Sequence, residues 1–161
     1  MLTDADVLEF YDRASGEVYR YASRLVGGNR SRAADLVQET FLTLVRQVRG
    51  GREEPVDVGW AIATCRSRFL DQIRHNDLIE RTQRRAFERR RGPDDAPSRA
   101  TEALGRLNDA QRAALVLRYV DDLPVAEVAT ALGRSLHATE SLLARAREAL
   151  RTEYTGMEGA E

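Results

Sequence analysis

The feature that most constrains the fold of this chain is the spacing of its apolar side chains. They return every third or fourth residue from one end to the other, and no stretch alternates apolar with polar in the manner of a half-buried strand. Val7, Phe10 and Tyr11 trace one stripe and Val18, Tyr21, Ala22 and Leu25 a second, with Ser15-Gly16-Glu17 between them and Gly27-Gly28-Asn29 ending the second. The spacing predicts a third helix over 31–49, with its stripe on Ala33, Leu36, Val37, Thr40, Leu44 and Val48. A fourth, long helix starts near Val58, carries Trp60, Ile62, Ala63, Phe69, Leu70 and Ile73, and then turns arginine-rich. All of this predicts an all-α chain.

One segment punctuates the pattern. Residues 91–98 hold two of the four prolines and no apolar side chain larger than alanine, which marks a flexible linker between two small helical domains. The expected division is a first domain over 1–90, a linker over 91–100, a second domain over 101–155 and a frayed tail over 156–161. In the second domain Asn108 and Gln111 fit a capping box, which opens a helix running to about Val120. Asp121-Asp122-Leu123-Pro124 breaks it, a short helix covers 125–132, Gly133 makes a turn, Ser135 caps, and a last helix runs over 136–154.

A short helix, a glycine turn and a longer helix is the layout of a helix-turn-helix, although plain helical hairpins share it. Val128 and Leu132 face the core from the first helix, and Leu136, Thr139, Leu143, Ala146 and Leu150 from the second. His137, Glu140, Ser141, Ala144, Arg145 and Arg147 are left as the exposed surface of a recognition helix.

Charge points the same way once it is divided along the chain. The net charge of −1 hides segments of −2 over 1–65, +5 over 66–91 and −4 over 92–161. A basic stripe between acidic flanks suits an element that tracks phosphates inside a larger assembly, and a solvated helix face is the plainer reading of the same residues. The cations are all arginine, with no lysine anywhere, and this carries no mechanistic weight. Cys65, the sole cysteine, excludes an internal disulfide and is expected to pack as a small apolar residue. The acidic N-terminus lacks the layout of a signal peptide and no apolar run approaches a membrane span, so a cytoplasmic protein without membrane insertion is expected. No Ser/His/Asp grouping, paired-carboxylate motif, phosphate loop or metal-ligand spacing appears, so neither catalytic residues nor a cofactor or metal are expected.

Two blocks carry a family resemblance. Asp35-Leu36-Val37-Gln38-Glu39-Thr40-Phe41-Leu42 resembles region 2.2 of the extracytoplasmic-function (ECF) sigma factors of the sigma-70 family. Leu107 to Arg112, Val116 to Val120, Ala126 to Ala129, Leu132-Gly133 and Ala144-Arg145-Ala146-Arg147 resemble region 4 of the same family, and Trp60, Ile62, Leu70-Asp71 and Arg74 fall where it has regions 2.3–2.4. The resemblance implies a sigma-2 domain and a sigma-4 helix-turn-helix domain that together direct core RNA polymerase to promoters in transcription initiation. Asp35, Gln38 and Glu39 would dock on the clamp helices of the polymerase β′ subunit. Arg66, Ser67, Arg68, Arg74 and His75, with the Arg84-Arg85 pair beyond them, would hold the opened −10 element, since single-strand capture needs cations and edge-reading groups. In this picture Trp60 packs in the core rather than against a base.

The sigma-4 domain would read the −35 element and touch the β flap. Its DNA contacts would come from Arg134, His137, Glu140, Ser141, Leu142, Arg145 and Arg147, the last two gripping phosphates. The sequence departs from the family at three of its reading positions. Ser67 stands where an Asn is frequent, Glu140 where a Lys or Arg is usual, and Leu142 where an Arg is usual. Glu accepts from cytosine N4 and Leu meets a thymine methyl, so an altered −35 preference is expected. Pro124 replaces the usual capping Ser. An anti-sigma factor is an expected partner. A stand-alone helix-turn-helix regulator is the alternative, which leaves the 35–42 block and the central arginines unexplained.

Overall fold

The computed structural model describes residues 1–80 and 99–158, with side chains for 1–75 and 99–157. Its elements are α1 (Asp4–Leu25), α2 (Arg30–Arg49), α3 (Val58–Glu80), α4 (Arg99–Gly105), α5 (Asp109–Leu115), a π-helical turn (Val116–Val120), α6 (Val125–Leu132) and α7 (Leu136–Glu158). No strand occurs among the described residues. The segment expected as a linker and the Arg84-Arg85 pair lie almost wholly outside them.

Residues 4–25 form one helix, not two. Val7, Phe10, Ala14, Val18, Tyr21 and Leu25 are all buried at steps of three and four, so a single stripe runs through Ser15-Gly16-Glu17. Ala14 is the residue that joins the two halves. The helix is opened by a capping box in which the Asp6 amide donates to Thr3 Oγ1 at 3.3 Å and the Thr3 amide donates to the Asp6 carboxylate at 2.7 Å. Gly27 and Gly28 then take positive φ values of 63° and 80° to turn the chain into α2, where Asn29 caps by accepting from the Arg32 amide at 3.1 Å. Phe41 of α2 packs on Phe10 and, edge-on, on Tyr11, with ring centroids 5.8 and 4.8 Å apart.

Helix α3 lies across both, burying Ala61, Cys65, Phe69, Leu70 and Ile73. Trp60 packs against this core and carries the Arg52 guanidinium over its ring at 5.3 Å, in line with the structural role read from sequence. Cys65 is fully enclosed. Burial pushes its thiol up to about 11, against a hydrogen bond with Thr40 that works in the opposite direction, so it is an inert packing group.

In the second half, α4 is an element that the sequence pattern did not announce. It begins inside the stretch assigned to the linker and buries Ala103. Asn108 caps α5 as expected, accepting from the Gln111 amide at 2.8 Å. Asn108→Ala is expected to cost about 1 kcal/mol, read as a lowered midpoint in urea unfolding followed by circular dichroism. The helix expected to continue to Val120 changes character at Val116. There the ladder widens, with the Asp121 amide donating to the Val116 carbonyl at 3.0 Å, a five-residue step.

The helix-turn-helix forms as read. Pro124 precedes α6 with no side-chain cap, and its carbonyl accepts from the Glu127 and Val128 amides at 2.9 and 3.0 Å. Gly133 closes α6 at φ 65°, and the Arg134 amide reaches back to the Ala129 carbonyl at 3.0 Å. Ser135 caps α7 by accepting from the Ala138 amide at 3.1 Å. Two expectations fail here. The last helix runs on to Glu158, with the Thr152 and Thr155 hydroxyls bonded to carbonyls one turn back, so the tail expected to fray is helical to that point. Leu136 is half exposed, because it occupies the first turn of α7, ahead of the buried stripe.

Candidate nucleic-acid interface

Three surfaces hold the residues singled out from the sequence. On α2, Asp35 and Gln38 are exposed and Glu39 is half-buried, opposite a stripe of Leu36, Thr40 and Leu44 that is fully enclosed. Beside Gln38, an open apolar concavity between α1 and α2 is lined by Leu8, Tyr11, Phe41 and Leu42. Carboxylate and amide groups at the rim of an apolar trough can meet a basic partner surface and bury apolar area in the same contact.

On α3, Ser67, Arg74 and His75 are exposed, while Arg66 and Arg68 are partly covered. All five lie off the line of Cys65, Phe69 and Ile73 that faces the core. Two of these arginines have partners in the second half of the chain. Arg66 stands 3.7 Å from the Asp121 carboxylate, and Arg74 pairs with Asp71 at 3.5 Å and donates to the Ala131 carbonyl in the last turn of α6.

On α7, His137, Glu140, Arg145 and Arg147 are exposed and Ser141 is half-buried, with Arg134 just ahead of the helix. Arg145 donates weakly to the Ser141 carbonyl at 3.4 Å, and Arg147 donates to the Tyr119 hydroxyl at 3.1 Å. Leu142 corrects the sequence reading. It is 4% exposed and belongs to the core with Leu143 and Ala146, so it cannot present a methyl group to a base in a groove. The face that it joins is wider than the narrow stripe assumed from spacing: Thr139, Leu142, Leu143 and Ala146 are all buried. Glu140 is thus the surface departure on this helix.

Sequence reasoning missed the seam between the halves. Arg112 is buried, and its guanidinium donates to the Leu25 carbonyl at 3.0 Å, the Leu107 carbonyl at 3.2 Å and Asp109 at 2.8 Å. Asp109 also receives a two-pronged bond from Arg32 of α2 at 3.0 and 3.1 Å. Burial works to raise the Asp109 pKa, but the hydrogen bonds and charges of Arg32 and Arg112 outweigh it and hold the carboxyl below its ordinary value. Near the other end of the seam the Tyr21 hydroxyl donates to Asp121 at 2.8 Å, and burial together with the Asp121 charge raises the phenol pKa. Beside the Arg112 guanidinium the backbones of Gly27 and Gly105 touch: a Cβ on Gly105 would lie 2.6 Å from the Gly27 carbonyl oxygen. One continuous cluster of buried residues runs through both halves.

Among the described residues no helix is long and apolar enough to cross a membrane, and no group of His, Cys, Asp and Glu could hold a metal ion. A helical bundle followed by a helix-turn-helix is matched, in that order, by two family models: Sigma-70 region 2 over residues 10–79 and Sigma-70, region 4 over residues 98–150. The chain is therefore a two-region helical protein of the sigma-70 type. ECF RNA polymerase sigma factor SigC of Mycobacterium tuberculosis is 30% identical over 148 residues, which cover 88% of this chain and 79% of that protein. ECF RNA polymerase sigma factor BldN of Streptomyces coelicolor is 31% identical over 152 residues, and SigE of Mycolicibacterium smegmatis is 29% identical over 164. The chain belongs to the ECF sigma factors of the sigma-70 family. It spans 55% and 63% of the lengths of BldN and SigE. Among solved structures, the sigma factor RpoE in complex with the anti-sigma factor NepR from Bartonella quintana has the same fold, with a TM-score of 0.55, 18% identity and coverage of 93% of this chain and 97% of that one.

Proposed function

We propose that this chain directs core RNA polymerase to promoters, with the first half (1–90) holding the β′ clamp helices and the opened −10 strand, the second half (101–155) reading the −35 element, and residues 91–100 linking them. The observation that carries this reading is the separation of two polar surfaces on the two family regions. Ser67, Arg74 and His75 lie on the outside of α3, and His137, Glu140, Arg145 and Arg147 on the outside of a recognition helix seated by Gly133 and Ser135. Cations beside hydroxyl and imidazole groups suit a single strand, which needs charge neutralisation along its backbone and groups that meet base edges. An exposed helix face with arginines towards its middle suits a duplex groove, where the arginines grip phosphates and the first turns meet bases. Asp35, Gln38 and Glu39 are assigned to the polymerase, and the β flap is a second contact. An anti-sigma factor is a further partner in this reading.

Run-off transcription with core polymerase, the purified chain and a pool of genomic promoter fragments tests the proposal. Discrete starts that share two spaced motifs are expected. Binding of promoter duplex by the chain alone, with no transcript above core enzyme, would support a stand-alone regulator instead.

A further inference from the structure

The two arginines assigned to duplex phosphates on α7 are held in different ways. Arg145 reaches back along its own helix to the Ser141 carbonyl. Arg147 reaches out of the helix, and its Nη1 donates at 3.1 Å to the hydroxyl of Tyr119, 28 residues earlier in the π-helical turn. Tyr119 follows the buried Leu115, Val116 and Leu117 but is itself 53% exposed, so burial does not account for where its ring lies. A neighbour does. The Arg118 guanidinium lies over the ring, 5.8 Å from its centroid, and is tied in turn to the Leu123 carbonyl at 3.3 Å. Among the described residues neither Arg118 nor Arg147 is paired with a carboxylate.

We propose that Tyr119 is a positioning residue for duplex DNA: its hydroxyl holds the Arg147 guanidinium in the orientation in which it meets a phosphate of the −35 element. The inference rests on the proposed function, which sets α7 on the duplex. An exposed arginine samples many rotamers, and fixing one of them costs affinity when the contact forms. A side chain already tethered through one N–H has given up much of that freedom in the free protein, and its other donors remain for a phosphate. The chemistry of the tether matters as much as its place. A carboxylate would hold Arg147 more strongly but would compete with the phosphate for its charge, whereas a hydroxyl directs the guanidinium without neutralising it.

A double-mutant cycle on the full chain tests this. Tyr119→Phe removes the acceptor and keeps the ring under Arg118, and Arg147→Ala removes the cation. Affinity for a promoter duplex recovered by run-off transcription is measured with core polymerase over a range of salt concentrations. Tyr119→Phe should weaken binding by about 2- to 12-fold, the cost of ordering one rotamer-rich side chain, and leave the salt slope as it is, because the cation is still present. Arg147→Ala should weaken binding further and reduce the slope by about 1. In the Arg147→Ala background Tyr119→Phe should have no further effect. An equal loss in both backgrounds overturns the proposal, since the phenol would then act on DNA or on the fold without Arg147. So does an Arg147→Ala slope that matches the wild type, or a Tyr119→Phe variant whose affinity is unchanged or higher. If run-off yields no starts, the sigma reading falls. The same cycle, run with the chain alone on a mixed-sequence duplex, then decides the tether by the same outcomes.

Discussion

Arg112→Met will destabilise the fold by about 3 kcal/mol or more, a larger loss than any surface charge in the chain should give. The guanidinium is almost wholly buried and satisfies two backbone carbonyls and a carboxylate at once. Methionine fills similar volume but leaves the Leu25 and Leu107 carbonyls without this donor and Asp109 with Arg32 alone, and buried unsatisfied acceptors are expensive. Urea unfolding monitored by circular dichroism measures the loss. A change below about 0.5 kcal/mol would mean that water replaces the guanidinium and that the seam is looser than its distances suggest. The same cluster fixes a pH dependence. Because the Asp109 carboxyl titrates below its ordinary value in the folded chain, its contribution is fully present above about pH 4 and is lost as the pH falls through the depressed value. Acid unfolding of Asp109→Asn should therefore lack that part of the wild-type slope.

Glu140→Lys will redirect −35 selection. Glu140 is exposed on the second turn of α7, ahead of Arg145 and Arg147, which the proposed function sets on phosphates, and replaces the cation that the family resemblance leads one to expect. A carboxylate accepts from cytosine N4, whereas an ammonium donates to guanine O6 and N7, so the preferred base at one position should invert. The expected discrimination is about 5- to 150-fold, the ratio carried by one good base contact of about 1–3 kcal/mol. Run-off transcription from promoters randomised across the −35 element reads it directly. An unchanged base profile would place Glu140 outside the groove. Because Leu142 is buried, it contributes nothing to this difference beyond the absence of an arginine at its position.

What could be read from the sequence was local. Asn108, Gly133 and Ser135 announce their turns because a cap or an αL residue acts within four positions of itself. The α1 stripe was visible too, but Gly16 was given the weight of a break. The alanine at 14 and the valine at 18 bury enough apolar surface to carry the helix through it. Leu142 was misplaced because the resemblance set it at a DNA-contacting position, while its neighbours Thr139, Leu143 and Ala146 draw it into a wider apolar face. The seam was invisible for a different reason. Tyr21 and Asp121 are 100 residues apart, Arg32 and Asp109 are 77 apart, and no periodicity links residues at that distance. A buried arginine looks like any other until its partners are in place. The candidate site divides in the same way: its members were legible one helix at a time, but not the pairing of Arg66 and Arg74 with the opposite half.

The π-helical turn at 116–120 has a consequence for how this chain tolerates changes in length. Its five-residue hydrogen-bond step holds one residue more than an α-helical turn, so losing one residue there lets the ladder close to ordinary spacing while α6 and α7 keep their internal register. The same loss inside α7 would rotate every later side chain by about 100° and carry Arg145 and Arg147 off their face. Residues 116–120 can therefore lose a single residue while the faces of α6 and α7 stay intact, and α7 cannot.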